Sequence, residues 1–150
     1  MASKETPAYN LSANCRNILN NAEHLAVEKK SPFVGTEHIL KCLLNTENRI
    51  VPWMMNKPVS LDKSQVKKKV EEMLQLTKSA GSPNFYSPSL ERSLVIAGAI
   101  WSGHPLPTEG LVIGALLAHK DVKNAMGSIL SNVAGDRNIL ELLLNDLSFF

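Results

Sequence analysis

Apolar positions recur at helical spacing along most of this chain, and the same rhythm is written twice. The stripe Leu11, Cys15, Ile18, Leu19, Ala22, Leu25 and Ala26 keeps to one helical face. It predicts a helix that starts at Ser12 as N-cap and runs to about Lys30, where Pro32 stops it. From Tyr86, the string "YSPSLERSLVIAGAIW" offers Ser87 as N-cap, Pro88 at the first helical position, and a stripe of Leu90, Leu94, Ala97, Ile100 and Trp101. That stripe lies 75 positions after Cys15, Leu19, Ala22, Leu25 and Ala26. Next come "VGTEHILKCLLN" (34–45) and "LPTEGLVIGALL" (106–117), two Thr-Glu helices 72 positions apart. A single three-residue gap in the loop brings both pairs into register. The chain is a tandem repeat.

Each Thr-Glu helix is followed by a shorter, less regular stretch and then a final amphipathic helix. In the first half "ENRIVPWMMNKPV" leads to "LDKSQVKKKVEEML", with Val66, Val70, Met73 and Leu74 facing inward. In the second, "DVKNAMGSILSNV" leads through Gly135 to "DRNILELLLNDL", with Ile139, Leu140, Leu143, Leu144 and Leu147 as the stripe. The small, polar phrase "TKSAGSPN" (77–84) reads as the linker. No useful length of β alternation occurs. The expected fold is all-α: eight helices, four per half, in a duplicated bundle with pseudo-twofold symmetry. Repeat one spans about 9–76 and repeat two about 85–147, as a single domain over 1–150. Each half, about 65–70 residues, is near the lower limit for a core of its own, so the halves should share one interior.

Composition narrows the function. The chain is 44% hydrophobic and 20% charged, and its net charge of +2 implies no strong field for nucleic acid or membrane. The lysine-rich "KSQVKKKVEE" is interrupted by Val66 and Val70, followed by Glu71 and Glu72, and lacks interleaved aromatics, so it reads as a solvated helix face. No apolar run approaches the roughly 18 residues needed to cross a bilayer. The first ten residues lack a secretory h-region, and two cysteines make no disulfide framework, so a reducing cytoplasm is the expected setting.

The order of a Ser-capped helix, a loop, "FVGTEHILKCLL", short helices and a capped helix, all then repeated, resembles the Clp N-terminal domain. That domain heads the AAA+ unfoldases ClpA, ClpB, ClpC and ClpV. "VSLDKSQVKKKVEEML" is similar to its fourth helix, and the likeness covers about residues 9–147. The second half departs, with Leu106-Pro107 for Val34-Gly35 and Gly110 for His38. The resemblance implies a helical module that recognises substrates or adaptors for an ATP-driven ring. No G-x-x-x-x-G-K-[ST] string is present, so no ATPase is expected of this chain itself, and no cofactor.

Thr36 and Thr108 read as helix N-caps, with Glu37 and Glu109 favouring the positive helix end. The alternative is a pocket in which free amides and a carboxylate hold a group that is anionic at one end and cationic at the other. The resemblance to the ClpC branch implies such a pocket for phosphorylated arginine at Thr36/Glu37 and Thr108/Glu109. Phe33, Trp53, Met54 and Tyr86 are candidates for a surface groove that binds apolar segments, or else inter-repeat core. His38 and Cys42 share a helix face but lack further ligands, so no metal is expected. Cys15 sits in an apolar stripe, where thiols are inert, so no nucleophile is expected.

Two readings remain at this level. The chain is the recognition domain of a Clp-type unfoldase, feeding it substrates or adaptors. Alternatively it is a free-standing accessory protein that docks on a Clp protease or chaperone ring. "FVGTEHIL" leans toward ClpC, whereas "FYSPSLERSLVIAGAIW" looks like the second repeat of ClpV, whose partner is a type VI secretion sheath. The apolar ending "LSFF" favours a fragment whose reading frame continues into an ATPase.

Overall fold

The structure, a computed structural model, describes residues 10–57, 59–76, 86–135 and 137–145. The expected linker at 77–84 and the stripe position Leu147 lie outside the described residues. Eight helices are found among those residues, with no strand. They are α1 (Ala13–Glu28), α2 (Thr36–Asn45), α3 (Ile50–Met55), α4 (Lys63–Leu76), α5 (Pro88–Ile100), α6 (Thr108–Ala118), α7 (Ala125–Ala134) and α8 (Ile139–Asn145).

Both predicted serine caps form. The Ser12 hydroxyl accepts the Cys15 N–H at 3.1 Å, and the Ser87 hydroxyl accepts the Leu90 N–H at 3.1 Å. Each satisfies a helix-start donor that would otherwise face the core unbonded. The residue before each cap then pairs with the other half. Leu11 bridges Leu106, and Tyr86 bridges Val34, both in parallel. The Ser12 N–H donates to the Leu106 carbonyl at 3.0 Å, and the Ser87 N–H donates to the Val34 carbonyl at 2.8 Å. Ser12 and Ser87 are 75 apart, and Val34 and Leu106 are 72 apart, the spacings of the sequence repeat. The halves therefore exchange the same contact in both directions.

One hydrophobic cluster runs through both halves, from Leu11 to Leu143. Leu19 and Leu94, equivalent positions, are both fully buried. α6 is buried from Thr108 to Leu116, which fits a helix that is apolar all round. It lies against α1, α3, α5, α7 and α8. Gly114 allows its approach to α5: a Cβ there would meet the Ser93 carbonyl oxygen at 2.5 Å.

Two stripe expectations need correction, and three of the four groove candidates prove to be core, the alternative reading. Ile100 is half exposed and Leu144 partly so, because each lies roughly 90° round its helix from the buried line. Trp53 and Met54 are buried core residues and do not stand at the surface. The short α3 packs against α2 on one side and α6 on the other, so adjacent helical faces both find cover. Tyr86 is also buried, with its hydroxyl donating to Glu23 Oε2 at 2.9 Å. On α4, Val66 and Val70 are buried while Lys67 and Lys68 face solvent.

Candidate site at the starts of the Thr-Glu helices

Gly35 and Pro107 occupy the N-cap positions of α2 and α6, and neither threonine caps its own helix. The threonine caps of the sequence reading are thus displaced by one residue. Thr36 serves a different helix. Its Oγ1 accepts the Met126 N–H at 2.9 Å and donates to Asn124 Oδ1 at 3.4 Å, so it satisfies an orphan donor at the start of α7 in the other half. Asn124 completes that start: its Oδ1 accepts the Gly127 N–H at 2.8 Å, and its Nδ2 donates to the Ala115 carbonyl at 2.8 Å.

The start of α2 is secured by His38 instead. Its Nδ1 accepts the Gly35 N–H at 2.9 Å, so Nε2 carries the proton and donates to Ser31 Oγ, also at 2.9 Å. Burial lowers its pKa below the ordinary 6.5, opposed by the Glu37 charge and the Gly35 contact. The ring is neutral and both nitrogens are committed. Its helix neighbour Cys42 is buried, which pushes the thiol up to about 11. Among the described residues no three His, Cys, Asp or Glu side chains converge on a metal geometry. Cys15 is fully buried, and burial raises its thiol to about 12.

The two glutamates have opposite fates. Glu109 is 2% exposed. Its Oε2 accepts from the Arg49 guanidinium at 2.7 Å, and its Oε1 from the Thr108 hydroxyl at 3.1 Å. A pocket at Thr108/Glu109 is therefore already filled by this chain. Glu37 is partly exposed and, among the described residues, has no hydrogen-bond or ion-pair partner. Its carboxylate folds back over Gly35, where any side chain would collide with it.

Glu37 lines a cleft of about 310 Å³ to which both halves contribute. Pro32, Phe33 and Gly35 come from the α1–α2 loop, Met73 from α4, Ser87 and Ser89 from the start of α5, and Lys123, Ala125 and Ser128 from around the start of α7. Phe33 is 44% exposed there, the one member of the aromatic and methionine candidates that stays at the surface. The cleft offers a carboxylate, an ammonium, hydroxyls and an apolar wall. Of the predicted residues it gathers Phe33 and Glu37, with Thr36 beneath. Lys123, Met73 and Ser87 were not foreseen as site residues. Only Ser87 carried a local signal, as a cap.

These features define an all-helical, internally duplicated module with a shared cleft. The model of the Clp repeat N-terminal domain matches residues 10–104, and the chain belongs to that family. Comparison with curated protein sequences gives no match. Among solved structures, a chain from "Preliminary structural investigations of a malarial protein secretion system" superposes with a TM-score of 0.68 at 17% identity, over 91% of this chain and 92% of that one. At that identity the likeness shows the fold. No helix among the described residues is long and apolar enough to cross a membrane.

Proposed function

We propose that this chain is a non-catalytic, cytoplasmic recognition domain of a Clp-type AAA+ unfoldase, and that it binds protein segments or adaptors at the Glu37 cleft. The observation that carries this reading is Glu37 itself. A carboxylate without a partner among the described residues stands beside exposed Phe33 and Lys123 at a seam built by both halves. Such a site suits a segment that presents a guanidinium to Glu37, an anionic group to Lys123 and an apolar side chain to Phe33. A phosphorylated arginine meets the two charge requirements. Calorimetric titration with an arginine-phosphorylated peptide tests it: heat is expected from the native domain and none from Glu37→Ala. Equal heats from both would remove Glu37 from the site.

One observation favours the ClpV-like branch as a second reading. The outward face of α5 carries Val95 at 58% exposure with Ile96 and Ala99 beside it, and no charge between Arg92 and Gly103. The equivalent face of α1 reads Asn14, Asn17, Asn20, Asn21 and His24. An apolar helix face suits an amphipathic helical partner such as a sheath subunit. Val95→Asp should abolish capture of such a helix and leave the Glu37 cleft working.

A further inference from the structure

Two opposite walls of the Glu37 cleft are each pinned by an imidazole. Gly35 and Asn124 line the cleft from different halves, and each is the N-cap of the helix behind it, α2 and α7. The Gly35 N–H donates to His38 Nδ1 at 2.9 Å, and the Asn124 N–H donates to His119 Nδ1 at 3.1 Å. Thr36 Oγ1 joins the two caps by donating to Asn124 Oδ1 at 3.4 Å. His38 is fully buried in the first turn of α2. The His119 ring lies over the first turn of α7, where a Cβ on Gly127 would meet its Cγ at 2.5 Å. Two of the chain's four histidines serve this one cleft. The other seam has no such pair: Pro107, which has no N–H, stands for Gly35, Gly110 stands for His38, and the loop before α3 (46–49) holds no histidine.

We propose that His38 and His119 form a proton latch on this cleft: as neutral rings they hold its walls in place for a partner, and as imidazolium rings they release both walls. Protonation turns each Nδ1 from acceptor into donor, so the Gly35 and Asn124 N–H groups lose their bonds. It also sets a cation at the positive end of two helices, which opposes charge at both starts. Burial holds both rings below the ordinary 6.5, and Lys123 adds to this at His119. The latch is therefore set above pH 6.5 and given up as pH falls below it. The surrounding charges leave this sign intact. On His38, Glu37 acts from the same helix. α1 turns Glu23 to Tyr86, and His24 and Glu28 to a groove beside Lys41. α4 turns Glu71 to Lys41, and Lys69 and Glu72 to the groove beyond Met73. α3 and α7 carry no ionisable side chain. His119 meets Lys120 and Lys123 of its own loop, while Asp121 pairs with Arg92 of α5. Glu37, which favours a protonated His38, is the carboxylate a partner needs, so protonation also competes for it.

The inference rests on the proposed function only for its partner, and the latch is read without one. In NMR of the free native domain from pH 8 to pH 5, the Gly35 and Asn124 amides should titrate with the His38 and His119 ring resonances, at midpoints below 6.5. Rings that stay neutral down to pH 5, or wall amides that ignore their titration, overturn the latch. His38→Asn with His119→Asn puts a non-titrating oxygen in place of each Nδ1 and should leave both amides flat. Equal movement in that double variant also overturns it. Should the double variant fail to fold, each single variant is read at its own wall: Gly35 alone should flatten in His38→Asn, and Asn124 alone in His119→Asn. Ethylguanidinium, whose charge is constant over this range, then probes the cleft at the Glu37 amide. The native domain should bind it about tenfold more weakly at pH 5.5 than at pH 7.5, and the double variant should lose far less. An equal loss in both overturns the gating. Wall amides that titrate in a domain that binds no probe at pH 7.5 would strike the partner reading and leave the latch standing.

Discussion

Thr36→Val separates a helix cap from a tie between the halves. Valine fills the space of threonine, so no cavity opens, and only the hydroxyl is lost. What that hydroxyl does is visible: it accepts the buried Met126 N–H at 2.9 Å. Without it that buried donor, at the start of α7, loses its acceptor. Leaving a buried donor unmade costs about 1–3 kcal/mol, so about 2 kcal/mol is expected. For a chain of this length that is a fall in melting midpoint of roughly 4–8 °C. Thr36→Ser keeps the hydroxyl and loses one methyl, so its cost should stay near 0.8 kcal/mol. Thermal or urea denaturation gives the totals, and hydrogen exchange gives the location. Met126 in α7, ninety positions away, should lose protection first, ahead of the amides at the start of α2. A Thr36→Val protein as stable as the native one, or one whose Met126 amide exchanges at the native rate, would refute the tie.

Leu19→Ala and Leu94→Ala each open a cavity at a fully buried position, so each should cost about 2–5 kcal/mol in urea denaturation. His38 has a folded pKa below 6.5, so the unfolded chain binds its proton first. Stability from this group is complete above pH 6.5 and falls as pH drops below it; Asn, which offers an acceptor oxygen to Gly35, should flatten that slope in His38→Asn. Cys15 and Cys42 have thiols raised to about 12 and 11 by burial, so at pH 8 neither should react with a thiol reagent until the chain unfolds.

The parts of this fold that were legible in the sequence are those with a local cause. Ser12 and Ser87 announce themselves because a capping hydroxyl meets an amide three residues on. Most of the buried stripes of α1 and α5 follows from helical period alone, Ile100 being the exception. The ties between halves have no such signature. Thr36 meets Met126 across ninety positions, and Arg49 meets Glu109 across sixty. Nothing near either residue distinguishes a cap from a crossing. Asn124, the N-cap of α7, was not singled out in the sequence, and neither was its link to Thr36. Trp53 and Met54 were left between surface groove and core, because a short irregular segment shows no second core face in the sequence. α3 in fact lies between two helices. The Glu37 cleft was half legible: the motif marked the residue, and only the packing of α4, α5 and α7 supplied its walls.

The most direct test of the account maps where a ligand lands. Amide shifts of the native domain, titrated with an arginine-phosphorylated peptide, should move saturably at Phe33, Gly35, Glu37, Ser87, Lys123 and Ala125, the residues that share the cleft. Thr108, Glu109 and Gly110, sealed by Arg49, should stay still. Shifts centred on Thr108–Gly110 in the native chain, or shifts at the cleft that persist unchanged in Glu37→Ala, would contradict it.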